Sequence, residues 1–123
     1  MATYAKTTLS GGTANGRGIL VAATTTSGTV IHTGPTATST LHEVWLYAVN
    51  SSTSSVKLTI QWGGVAVTSP NIDEIEVTIL PESGLVLIAP GLLIKGVATP
   101  LVIGAYAGTA NVIAIHGYVN TIT

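Results

Sequence analysis

The chain has 123 residues, a length that supports one hydrophobic core and one domain. Cysteine is absent, which excludes disulfide frameworks, thiolate metal centres and cysteine nucleophiles. Four basic and five acidic residues make it only 7% charged, against about 25% in ordinary soluble domains, and no basic cluster exists to neutralise phosphates, so nucleic acid is not an expected partner.

At the start, Met1 to Thr8 lacks the apolar run of a secretory signal. Thr7 to Gly18 is mostly Thr, Ser, Gly, Ala and Asn, with one Leu9 and one Arg17, and shows neither hydrophobic period. Residues 1–17 therefore read as an extended N-terminal arm, mobile or ordered by a neighbour, and 18–123 as a single domain. From Gly18 onward, short Val, Ile, Thr and Leu runs alternate with turn formers. They predict strands at 18–23, 29–33, 41–50, 56–62, 64–68, 74–80, 85–89, 91–95, 101–107 and 111–120. The breaks fall at Gly34-Pro35, Asn50-Ser51-Ser52, Gly63-Gly64, Ser69-Pro70-Asn71, Pro81 to Gly84, Pro90-Gly91 and Gly108-Thr109. No window carries an amphipathic helix, and strands this close together leave no room for crossover helices. The expected fold is thus all-β and antiparallel, a sandwich or barrel. The most apolar run, Gly84 to Ile94, is interrupted by Pro90 and is far shorter than the ~20 residues of a membrane-spanning helix, so no membrane is expected as a partner.

The strands are of two kinds. In 56–62, Val56, Leu58, Ile60 and Trp62 alternate with Lys57, Thr59 and Gln61, and in 74–80, Ile75, Val77 and Ile79 alternate with Glu74, Glu76 and Thr78. Each has one face for a core and one for water. Strands 41–50, 85–94, 101–107 and 111–119 are apolar on both faces. A core covers one face of a packed sheet only, so the second faces predict an interaction surface, first of all with copies of the same chain. A closed barrel or an internal β-ribbon is the alternative cover. The candidate interface comprises Trp45, Tyr47, Val49, Val86, Ile88, Leu93, Tyr106, His116 and Tyr118.

Chemistry has little foothold in the sequence. The histidines, His32, His42 and His116, stand at no metal-binding spacing; they read as a strand-end, a surface and a core or interface residue. Asp73, Glu74 and Glu76 offer a calcium or paired-carboxylate site, but the pattern fits better a charged edge that discourages wrong strand pairing. No Gly-x-Ser-x-Gly elbow or phosphate loop occurs, and Gly11-Gly12 and Gly63-Gly64 lack the Lys-Ser/Thr that would follow. No catalytic residue, metal or cofactor is expected. Trp45, Trp62 and the tyrosines suit core or interface packing, with stacking on sugar rings as the second reading.

Thr29-Val30-Ile31-His32-Thr33-Gly34-Pro35, Leu41 to Asn50 closed by Ser51-Ser52, and Val56-Lys57-Leu58-Thr59-Ile60 resemble segments of small bacteriophage virion proteins of the capsid decoration, or cement, type. So do Leu80-Pro81-Glu82-Ser83-Gly84-Leu85-Val86-Leu87, Ile103 to Ala107 and Ile113 to Tyr118. Gly96 to Pro100 departs from the Gly-Asp such proteins often carry before their penultimate strand. The resemblance implies a jelly-roll-like β-sandwich, a homotrimer seated on the major capsid protein at the virion surface, made in the host cytoplasm and stabilising the phage head. A head-fibre or tail-associated adhesion domain that binds a host glycan is the alternative.

Overall fold

The computed structural model describes residues 2–12, 15–64 and 72–123, and among them there is no helix. The strands are β1 (Tyr4–Thr8), β2 (Ile19–Leu20), β3 (Thr29–Thr33), β4 (Leu41–Asn50), β5 (Val56–Gln61), β6 (Glu74–Ile79), β7 (Val86–Lys95), β8 (Val102–Ala107) and β9 (Ile113–Ile122). They form two antiparallel sheets. One has the order β1-β9-β4-β7, with β2 also on β9; the other has the order β3-β8-β5-β6. The strand expected over 64–68 lies, beyond Gly64, outside the described residues.

Both sheets contribute to one buried cluster. Val44, Leu46, Ala48, Ile113, Ile115 and Val119 come from the first sheet, and Ile31, Leu58, Ile60, Ile79, Ile103 and Ala105 from the second. In β4 every second residue from Val44 is buried, which is the period of a pleated strand with one face on a core. At the last residue of β4, the buried Asn50 side chain bonds the chain that follows. Its amide donates to the carbonyls of Ser54 and Ile79 at 2.8 Å, and its oxygen accepts from Ser52 N at 2.9 Å. The same oxygen accepts the Ser52 hydroxyl at 2.8 Å, so the Asn50-Ser51-Ser52 turn is held from inside by four bonds local to it or to β6.

Two expectations change. The first is the arm over residues 1–17. Tyr4–Thr8 is bonded along β9 from Ile122 to Tyr118, the two chain ends pair through Thr3 and Thr123, and Leu9 enters the core at 6% exposure. All five β1 side chains are exposed, so no hydrophobic period announces the strand; backbone pairing holds it. The second is the break at Pro90-Gly91. β7 runs straight through it, with register shifts against β4 on both sides of the Trp45–Pro90 pair. An edge strand tolerates a proline because one side of its backbone needs no partner, and Gly91 supplies the φ of 76° that the irregularity requires.

Candidate functional site: the outer face of the larger sheet

The strand order places three of the four two-sided apolar strands side by side, as β9-β4-β7. Their core-facing residues fill the cluster, so the alternate residues line the opposite face. Register then arranges that face in rows. Tyr118, Trp45 and Pro90 form one row, with Thr8 of β1 at its end. His116, Tyr47 and Leu87 form the next, and Leu20, Ala114 and Val49 the one after. On the other side of the Trp45 row lie Lys6, Asn120, Glu43 and Leu93. Leu20, Leu87 and Leu93 are 50%, 49% and 53% exposed, a strongly apolar surface for a strand face open to water.

The aromatic residues are ordered by their neighbours. The Trp45 and Tyr118 rings stack with centroids 6.0 Å apart and an interplanar angle of 13°, and Lys6 Nζ lies 4.8 Å from the Tyr118 ring centroid on a cation–π contact. Trp45 Nε1 donates to Glu43 Oε1 at 2.9 Å and Asn120 Nδ2 donates to the same oxygen at 2.8 Å. These two hydrogen bonds, that of Trp45 first, hold the Glu43 carboxyl below its ordinary pKa. The result is an aromatic and aliphatic platform with one polar row, and no pocket is formed among the described residues.

The predicted interface residues divide accordingly. Trp45, Tyr47, Val49, Leu93, His116 and Tyr118 share the platform. Val86 and Ile88 pack instead against the core cluster: Val86 pairs with the buried Ala48, and both alternate with the outward Leu87. Tyr106 belongs to the other sheet, where it pairs with Thr59 and donates from its hydroxyl to Glu74 Oε2 at 3.0 Å. Burial, and then that hydrogen bond, raise its pKa. Sequence reasoning missed Leu20, Leu87 and the polar row of Lys6, Glu43 and Asn120; Lys6 reaches the platform only through the pairing of β1.

Of the acidic cluster, Glu74 and Glu76 lie on β6, the outer strand of its sheet, and Asp73 directly precedes it. Glu76 forms an ion pair with Lys57, which raises the lysine's pKa, while Glu74 takes the Tyr106 hydroxyl. No group of three or more His, Asp or Glu side chains suited to a metal ion exists among the described residues. His116 is half-buried on the platform, and its ring covers Gly18 so closely that a Cβ there would come within 2.7 Å of Nε2. His32, read from the sequence as a strand-end residue, and His42, read as a surface residue, are bonded to each other across the two sheets.

No family model matches the chain, nor does any curated protein or solved structure.

Proposed function

We propose that this is a structural virion protein: a capsid decoration or cement protein that associates with copies of itself and seats on the major capsid protein of a phage head. The observation that carries the reading is the platform. Three strands with apolar outer rows lie adjacent in one sheet, and the chain has too few charges to solvate such a face. Fully burying one exposed Leu or Val contributes about 1.5–3 kcal/mol, so a few of these side chains suffice to favour association.

The reading takes the two sheets as a jelly-roll sandwich. With β1 and β2 counted as two parts of one strand, the orders β1/β2-β9-β4-β7 and β3-β8-β5-β6 correspond to two interlocked Greek keys. That architecture serves capsid domains and lectins alike, so the fold by itself does not choose between them. Three copies per assembly, the capsid surface as location and synthesis in the host cytoplasm follow from the resemblance to phage cement proteins. No catalytic step and no cofactor enters this function.

The second reading, a fibre or tail adhesion domain for a host glycan, draws on the stacked Trp45 and Tyr118 rings beside Glu43, Asn120 and Lys6. Particles stripped of the protein discriminate between the two. A cement protein leaves them more fragile to heat, and adding it back restores them. An adhesin leaves particle robustness unchanged while host attachment falls, and Trp45→Ala reproduces that fall. Unchanged robustness after removal overturns the cement reading.

A further inference from the structure

At one end of the core, β3 and β4 bring two imidazoles together. His32 Nε2 lies 2.9 Å from His42 Nδ1, with ring centroids 5.1 Å apart. The other nitrogen of His32, Nδ1, accepts the backbone N–H of Ser10 at 3.1 Å. An amide nitrogen only donates, so His32 Nδ1 carries no proton. Its one ring proton is then on Nε2 and is donated to His42 Nδ1, which leaves the His42 proton on that ring's Nε2. The donors run in one direction, from Ser10 to His32 to His42, and both rings are neutral.

Ser10 is also the point where the N-terminal segment is fastened to β3. Its hydroxyl accepts Thr33 N at 2.8 Å, and the next residue, Gly11, donates from its amide to Ile31 O at 2.9 Å. Gly11 approaches so closely that a Cβ there would collide with the Val30 carbonyl oxygen. On the N-terminal side of this fastening lie Leu9 and β1, the edge strand whose side chains are all exposed.

We propose that the His32–His42 pair is an acid-opened latch on the N-terminal segment, in which the first proton bound by the pair releases Ser10. Two routes lead to the same outcome. A proton taken by His32 goes to Nδ1, the nitrogen without one, and there it opposes the Ser10 N–H, donor against donor. A proton taken by His42 goes to its Nδ1 and needs an acceptor at His32 Nε2; His32 then shifts its own proton to Nδ1, and Ser10 again meets a donor. In both cases the proton comes from solvent, and the hydrogen bond lost is the one from Ser10.

The surroundings leave this response to the pair alone. His32 faces Ile103 on β8, while His42 faces Ile94 on β7 and Thr121 on β9. Glu43, next in sequence, is engaged by Trp45 and Asn120 on the platform, and Lys95 is exposed opposite Leu41. Burial, with His42 as the second cause, holds His32 down to about 4, and burial also lowers His42. The latch is therefore closed at neutral pH and opens in acid. It does not depend on the proposed place in a virion.

Nitrogen NMR of the histidine rings and amide exchange at Ser10, both on the full chain, test this. At neutral pH both His32 and His42 are expected as the Nε2–H tautomer. On acidification from about pH 6 to about pH 4, exchange at Ser10, corrected for the intrinsic rate, is expected to rise at least about tenfold while amides of β4 and β5 stay protected. In His32→Asn, whose side-chain oxygen accepts but does not titrate, that rise is expected to vanish. An Nδ1–H tautomer at His32, or Ser10 protection that persists until the whole domain unfolds, overturns the proposal; both are read on the native chain, so the variant's folding does not decide the matter.

Discussion

Replacing Gly117 by alanine is expected to destabilise the domain by about 3 kcal/mol, a large part of the ~5–15 kcal/mol that holds a domain together. Gly117 stands in the middle of β9 opposite Leu46, between the platform residues His116 and Tyr118. A Cβ at this position would run into the carbonyl oxygen of Trp45 and lie 3.3 Å from the Leu46 Cα. Both obstacles are backbone, so no side-chain rotation relieves them; β9 must move away from β4, at the cost of ladder hydrogen bonds and core contacts. Gly108 provides the comparison, since the nearest atom to a Cβ there is the Lys57 carbonyl oxygen at 4.0 Å. Urea unfolding should place Gly108→Ala within about 0.5 kcal/mol of the parent chain. Equal effects of the two substitutions would mean that the close approach of β9 and β4 is not a determinant of the fold.

Acid should weaken the domain well before its carboxylates are protonated. His32 is 3% exposed and is held down to about 4, against an ordinary value of 6.5, so the unfolded chain takes up a proton that the folded chain refuses. Its contribution is full above pH 6.5 and is lost as the pH falls towards about 4, at up to about 1.4 kcal/mol per pH unit. His42, lowered by burial, acts in the same sense. Glu43 is depressed as well, but a carboxylate's share is lost only as the pH falls below its ordinary range, so it acts in a lower window. Unfolding free energy measured at one protein concentration is expected to drop by roughly 2 kcal/mol from about pH 7.5 to about pH 5, and His32→Asn is expected to flatten that slope. A level profile across this interval would contradict the buried neutral pair.

What was legible in the sequence was local. β3 and β4 end where the turn residues place them, because Gly34-Pro35 and Asn50-Ser51-Ser52 punctuate the chain whatever its tertiary context. The two-sided apolar character of β4, β7 and β9 was legible for the same reason: period two is a property of the strand itself. Their adjacency was not, since strand order depends on contacts far apart in sequence. This is why Tyr106, on an equally apolar strand, was grouped with residues of a sheet to which it does not belong. β1 escaped notice because its five residues bury nothing. Pro90-Gly91 looked like a break because the sequence does not tell an edge strand from a central one. The bond between His32 and His42 joins one sheet to the other and left no pattern in the intervening residues.

The platform of Trp45, Tyr47, Val49, Leu87, Leu93, His116 and Tyr118 is expected to be covered by further copies of the chain. Sedimentation of the isolated full-length protein at micromolar concentration tests this most directly. A compact oligomer is expected, and it should persist in raised salt, because screening weakens exposed charge pairs and leaves apolar burial intact. A monomer under these conditions, with the platform open to water, would contradict it.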